Sequence, residues 1–432
     1  MSDTRFAFLF RSLRRKLWVR AVGYAVLGVA LVPLARLIGP QLPSAWVEAT
    51  GAVAVRGLLG ILASSMLAVT TFSLSIMVSA YSGATAAVTP RAVKLLLEDR
   101  TAQTVLSTFI GAFLFSIVGI IGIEASAFSD SGLLVLFFAT IAVTALVVIA
   151  LIHWIHHLTT FGRVADTTDR VERAAAKALR ERARQPALGG IATRHETAPP
   201  NWRALCIPET GYLCHIDMPH LSEIIRTSTK GQSRPMIQLA ILPGVFLHPE
   251  KTALWVHPDI PDSRDSDLCS AFTVDTTRSF DQDPRFGICV LSEIAERALS
   301  PAVNDPGTAI DVLGRAVRLL SIWAEEKAED PSHQQILVPE LPISDLFDDI
   351  FPAISHDGAG KFSVQMRLQK CLLMLAEISP ADFGPEAVRQ SNRALKDARS
   401  SDLHEDQIEA LVAVNDAISK TVGTPDRSPR RF

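Results

Sequence analysis

Neither sign of charge predominates in this chain. A net charge of −3 over 432 residues leaves no acidic or basic polymer as an evident partner. A nucleic-acid binder needs a concentrated basic face, and none stands out. Cysteine is scarce and carries no paired pattern. Cys206, Cys214, Cys269, Cys289 and Cys371 are odd in number and contain no CxxC. That suits free thiols in a reducing compartment better than a disulfide framework or a zinc site. There is no P-loop, GxSxG, HExxH or kinase-like set, so no enzyme, catalytic residue, cofactor or metal is expected. Charge is also missing from the middle of the apolar runs, where Glu124 and Asp130 lie only at an edge. Proton relays and carboxylate-coupled transporters place an ionisable group inside the membrane. That absence argues against a proton-driven pump more than against a passive pore.

What is present falls into two halves. Residues 1–160 are mostly apolar, and residues 161–432 hold most of the charge. A helix crosses the hydrocarbon core with about 20 apolar residues. Four segments qualify: Ala21–Ile38, Leu58–Ala80, Val105–Ile123 and Leu133–Leu151. Arg11, Arg14, Arg15, Lys16 and Arg20 precede the first, which lacks a convincing small-residue cleavage site and reads as an uncleaved span. Lys and Arg alternate between the connecting loops: a basic N-terminus, one Arg, then Arg91, Lys94 and Arg100, then none, then Arg163, Arg170, Arg173 and Lys177. The positive-inside rule therefore places both termini in the cytoplasm.

The second span, SSMLAVTTFSLSIMVSAYS, is rich in hydroxyls. Ser64, Ala68, Thr71, Ser75, Ser79 and Ser82 follow steps of three and four, so they share one helix face. Either the stripe packs against another helix, or it lines a watery path and replaces the hydration of an ion or small solute. The third span carries Gly111, Gly119 and Gly122 for close packing, with Phe115 interrupting the small-residue row. The fourth ends in HWIHHLTTFGR. Interfacial placement explains His153, His156 and His157 without a metal, since no acid or thiol lies nearby in sequence.

Between spans two and three, Thr89 caps a helix with Pro90 at its first position. This amphipathic helix over 90–100 is expected at the cytoplasmic membrane surface. Arg91, Asp99 and Arg100 are candidates for coupling the spans to the polar half. Residues 161–200 read as a connecting helix and a linker, and 201–280 as short strands forming a small β-barrel or sandwich. Residues 281–425 read as helices and 426–432 as a polar tail. His215, Asp217 and His220 make a surface cluster too thin for a metal site. In FDQDPRFGICVLSEIAERALSPAVNDPGTAIDVLGRAVRLLSIW, Ser300–Pro301 interrupts one helix, and Asp305 with Pro306 starts the next. Capping alone explains Asn304, Asp305 and Thr308. The alternative is a polar pocket or subunit contact formed with Asp281, Asp283, Arg297 and Ser300.

VTPRAVKLLLEDRTAQTVLSTFIGAF and QDPRFGICVLSEIAERALSPAVNDPGTAI together resemble a bacterial family of predicted membrane proteins, domain of unknown function 2254. Pro90, Arg91, Asp99, Arg100, Gln103, Gln282, Asp283, Phe286, Gly287, Arg297, Ser300, Pro301, Asn304, Asp305, Pro306 and Thr308 stand at positions the resemblance expects. Ser107, Ala112 and Cys289 depart from it, where glycine, threonine and a basic residue would be expected. The resemblance implies a membrane protein with a cytoplasmic domain, and it implies no reaction; the bacterial inner membrane is the expected location. The expected architecture is a bundle of four transmembrane α-helices followed by a cytoplasmic α+β domain. In the lipid bilayer this is expected to act as a homo-oligomeric pore for an ion or small solute, or as a membrane-anchored sensor or scaffold.

Overall fold

The computed structural model describes residues 22–23, 26–30, 32–34, 52–97, 99–159, 161–194, 200–228 and 236–423. They form two units, residues 1–167 and 168–432.

In the first unit, α1 (Ala52–Ala87), α2 (Pro90–Leu97), α3 (Arg100–Glu124) and α4 (Asp130–Leu158) follow in order. Among the described residues, three helices are long and apolar enough to cross a membrane: Ala52–Gly83, Thr101–Glu124 and Asp130–Leu158. Much of the expected first span, Ala21–Ile38, lies outside the described residues. Its described pieces are helical, and a Cβ on Gly28 would sit 3.2 Å from Val118 of α3.

The core runs between α1 (Val55, Leu59, Leu62, Met66), α3 (Val105, Phe109, Ala112, Phe115) and α4 (Leu136, Val143, Val147, Trp154). Phe115 therefore does not interrupt a contact; it is fully buried at the centre of one. Gly119 does what the sequence suggested, because a Cβ there would lie 2.9 Å from Leu59. The loop helix α2 buries Ala92, Val93 and Leu96 and leaves Arg91 and Lys94 exposed, with Thr89 Oγ1 accepting from the Ala92 N–H at 3.4 Å. It ends at Leu97, short of the expected 100. Asp99 instead caps α3, accepting from the Ala102 N–H at 2.7 Å.

The chain continues through α5 (Val164–Arg184). The second unit then contains β1 (Gly190–Thr193), β2 (Arg203–Cys206), β3 (Gly211–Ile216), α6 (Met218–Ser228), β4 (Ile237–Leu239), β5 (Phe246–Leu247), β6 (Thr252–Val256), α7 (Asp265–Cys269) and β7 (Phe272–Asp275). After these come α8 (Pro284–Leu299), α9 (Pro306–Glu325), β8 (His333–Pro339), α10 (Ile343–Asp348), α11 (Phe351–Asp357), α12 (Phe362–Ile378), α13 (Gly384–Arg399) and α14 (Glu405–Gly423).

The expected barrel is corrected: the described strands form two sheets, neither of them closed. One has the order β1-β8-β4-β6-β2, and the other β5-β3-β7. The apolar runs of PMIQLAILPGVFLHPEKTALWV do become β4, β5 and β6, but Pro243–Gly244 sends β5 into the second sheet. The larger sheet also reaches outside residues 201–280. β1 comes from the expected linker, and β8 enters from beyond α9, pairing parallel to both β1 and β4. A parallel pair needs a long crossover, which is why local patterning concealed this partnership.

α5 is tied to α9 by ion pairs. Arg315, with a side chain only 8% exposed, reaches Asp169, Glu172 and Asp311 at 2.5–2.7 Å. Burial raises the Glu172 pKa, but hydrogen bonds and charge from Arg318 and Arg315 outweigh it and hold the carboxyl below its ordinary 4.5. A depressed carboxyl stabilises the fold above its unfolded pKa and loses that contribution as pH falls through the folded value. Glu172→Gln is accordingly expected to flatten the fall in unfolding midpoint below pH 4.5; an unchanged slope would contradict the ion-pair account.

Candidate functional site

Along α1, each residue turns about 100°. Leu59, Leu62, Met66 and Ser73 are buried, with the core residues of α3 and α4 against that side. Ser64, Ala68, Thr71, Ser75, Ser79 and Ser82 fall roughly opposite, and all six are exposed in the single chain. Gly57 continues the row, and a Cβ there would meet no described atom within 4 Å. The helix therefore packs inside its own chain through one face and leaves its small, hydroxyl-bearing face to the surroundings. Large apolar residues flank that row, including Leu67, Phe72, Leu74 and Val78, and are exposed as well.

The hydroxyls turn back on their own helix. Ser64 Oγ donates to the Gly60 carbonyl at 3.0 Å, Thr71 Oγ1 to Leu67 at 3.0 Å and Ser75 Oγ to Thr71 at 3.0 Å. Each donor is thereby satisfied within the helix. What these groups present outward is oxygen lone pairs.

The contacts described for Asp99 lie within the first unit. Asp99 Oδ1 lies 3.3 Å from His157 Nε2, and both side chains are largely buried. His157 stacks on Trp154 at 5.7 Å and tilts against Phe161 at 5.0 Å. Tyr81 lies edge-on to Phe161 at 5.7 Å, and its hydroxyl donates to the Leu96 carbonyl at 3.3 Å. Asp99 thus joins α3 to α4 while Tyr81 joins α1 to α2. The sequence reading found no acid near the histidines because Asp99 is distant along the chain. No group of three or more metal-ligating side chains occurs among the described residues. Arg91 is exposed on α2; Arg100 opens α3, and its side chain lies outside the described residues.

The elbow after α8 is built by capping. Ser300 Oγ donates to the Arg297 carbonyl at 2.7 Å. Asn304 takes φ +50°, a left-handed conformation that asparagine tolerates, and its Oδ1 accepts from Lys361 Nζ at 2.5 Å. Asp305 accepts from the Thr308 N–H at 3.1 Å and from its hydroxyl at 2.6 Å. These bonds hold the exposed Asp305 carboxyl below the usual carboxylate range.

Asp283 is not part of that elbow. It caps the opposite end of the 16-residue α8, about 24 Å away at 1.5 Å per residue. There its side chain is 1% exposed and accepts from Arg278 Nε at 2.7 Å and from the Phe286 N–H at 3.2 Å. Gln282 beside it clamps the Ile216 backbone, accepting from its N–H at 2.9 Å and donating to its carbonyl at 3.3 Å. Arg285 forks onto Asp349 and reaches Asp345. The sequence reading missed Arg182, Arg278 and Arg285, which gather around Asp283 from α5, the approach to α8 and α8 itself. Only the run QDPRFG pointed to the place.

Three apolar helices with a separate mixed helix-and-sheet unit define a helical membrane protein. The chain belongs to the family of predicted membrane proteins called domain of unknown function 2254, matched over residues 14–374. It is 27% identical over 293 residues to an uncharacterised protein of Mycobacterium bovis and, equally, to one of Mycobacterium tuberculosis. Those alignments cover 64% of this chain and 53% of each relative, so the chain spans about half the length of the curated relatives it matches. No solved structure matches it.

Proposed function

We propose that this protein assembles in the bacterial inner membrane as a homo-oligomer, with the hydroxyl face of α1 turned toward a shared axis. That face then lines a passage for small cations or neutral solutes. The observation that carries the reading is the position of Ser64, Thr71, Ser75, Ser79 and Ser82, all exposed and roughly opposite the face that packs inside the chain. Where donors are spent on the helix's own carbonyls, the outward lone pairs suit a cation's lost hydration better than an anion's. Both termini lie in the cytoplasm in this arrangement, and no reaction is part of the role.

Liposomes containing the purified chain should pass small cations. Ser75→Leu should cut that flux at least about tenfold, since an apolar constriction gates by dewetting. Flux equal in protein-free liposomes, or unchanged by Ser75→Leu, would contradict the passage. A second reading, a membrane-anchored sensor or scaffold, is supported by a groove of about 1050 Å³ in the polar unit, lined in part by Trp255 and Trp323. It predicts that deleting residues 201–432 abolishes crosslinking to a cytoplasmic partner, and undiminished crosslinking would contradict it.

A further inference from the structure

Within the second unit, a cavity of about 390 Å³ is bounded by the β4–β5 loop, Arg182, Lys251, Arg278, Asp283, Arg285 and Asp345. Four cationic side chains line it against two carboxylates. Adding Asp349, the other carboxylate on Arg285, still leaves an excess of positive charge.

Arg182 is the least explained of the four. It is 3% exposed, and its Nη2 donates to the Gln282 carbonyl at 3.2 Å, while its Nη1 is buried with no hydrogen-bond partner. Burial pulls its pKa down to about 10, with the Asp283 charge opposing the fall, so it remains a cation at neutral pH. A buried charged group with an unmet donor is costly. Asp283 is already committed to Arg278 and to the α8 cap, and cannot satisfy all of these groups. Lys251 donates to the Phe246 carbonyl at 3.4 Å, which leaves ammonium capacity for another acceptor. Cys289 beside Arg278 does not compete as a thiolate, because burial pushes its thiol up to about 11.

The cavity adjoins a larger groove of about 1050 Å³, with which it shares Ala240, Pro339, Leu341 and Pro342. Trp255 and Trp323 line that groove, both half-buried. Of its carboxylates, Glu326, Glu340 and Glu386 are engaged by Arg184, Arg194 and Arg389, and Asp382 accepts from the Ser379 hydroxyl at 2.8 Å; Asp382 does not line the smaller cavity.

We propose that the smaller cavity binds a phosphate-type oxyanion, either free or as the anionic end of a small organic phosphate whose body extends between Trp255 and Trp323. Arginine forks and a lysine are the usual partners of such a group, and aromatic walls suit a planar body. This site is independent of the proposed passage in the spans.

The test is calorimetric titration of the full chain in detergent. One arm uses inorganic phosphate and another a nucleoside diphosphate, each against chloride at equal ionic strength. At least one phosphate ligand should bind with a dissociation constant of about 1 mM or tighter. Lys251→Glu, at a partly exposed position, should weaken that binding at least about tenfold. Arg182→Gln should do the same with its unfolding midpoint monitored in parallel. Tighter binding of the diphosphate with quenching of tryptophan fluorescence would identify an organic phosphate; equal binding without quenching would identify the free ion. Binding no stronger than chloride in both arms would overturn the proposal. So would binding indifferent to Lys251→Glu.

Discussion

Asp283→Ala is expected to lower the stability of the full chain by about 3–5 kcal/mol, the cost of stranding buried charge. The carboxylate is nearly inaccessible, is 2.7 Å from Arg278 and is the charge that opposes the effect of burial on Arg182. Truncation leaves both guanidiniums facing a cavity with less negative charge. It also removes the α8 cap, a loss of about 1 kcal/mol by itself. Asp283→Asn separates the two effects, because the amide oxygen can still accept from the Phe286 N–H while the charge is gone. It should fall between wild type and Asp283→Ala. Denaturant unfolding of the three proteins in detergent decides the matter, and a loss below about 1 kcal/mol for Asp283→Ala would contradict the charge argument.

The second large effect is expected at Gly287. A Cβ there would sit 2.4 Å from the Ala175 Cβ and 2.9 Å from its Cα, so α5 and α8 touch backbone to backbone. Glycine inside a helix is less favourable than alanine by about 1 kcal/mol, and only this close approach accounts for it here. Gly287→Ala should therefore destabilise the fold by a net ~1–3 kcal/mol despite the better propensity. Gly287→Leu should destabilise it further. Ala175→Gly would reopen the space, so the pair Ala175→Gly with Gly287→Ala should be more stable than the two single losses summed, by at least about 0.5 kcal/mol. Strict additivity would show that the contact does not carry the cost.

The parts legible in the sequence are those governed by local chemistry. Hydropathy over a span's length announced α1, α3 and α4. Thr89 and Asp305 announced helix starts because a side-chain cap acts within three residues, whereas the Asp283 cap of α8 appeared only in the structure. At the elbow the cap is Asp305, while Asn304 accepts from Lys361, which lies beyond α11. The misreadings involve distance along the chain. β8 joins a sheet begun before α6, and Asp99 meets His157 across two helices. Arg182 reaches Gln282 over 100 residues. No periodicity encodes such meetings. The hydroxyl stripe lies between these cases. Its spacing defined a face, but only the packing of Leu59, Leu62 and Met66 shows that this face points away from the described helices α3 and α4.

Whether that face meets its counterparts is tested most directly by oxidative crosslinking in native membranes. Ser75→Cys sits on the stripe, and Leu74→Cys sits about a quarter-turn away on the same exposed helix. The unsubstituted chain controls for its own five cysteines. The assembly predicts a new covalent dimer with Ser75→Cys and little with Leu74→Cys. Equal crosslinking at both positions, or none at residue 75 while a lipid-phase probe labels it freely, would contradict it.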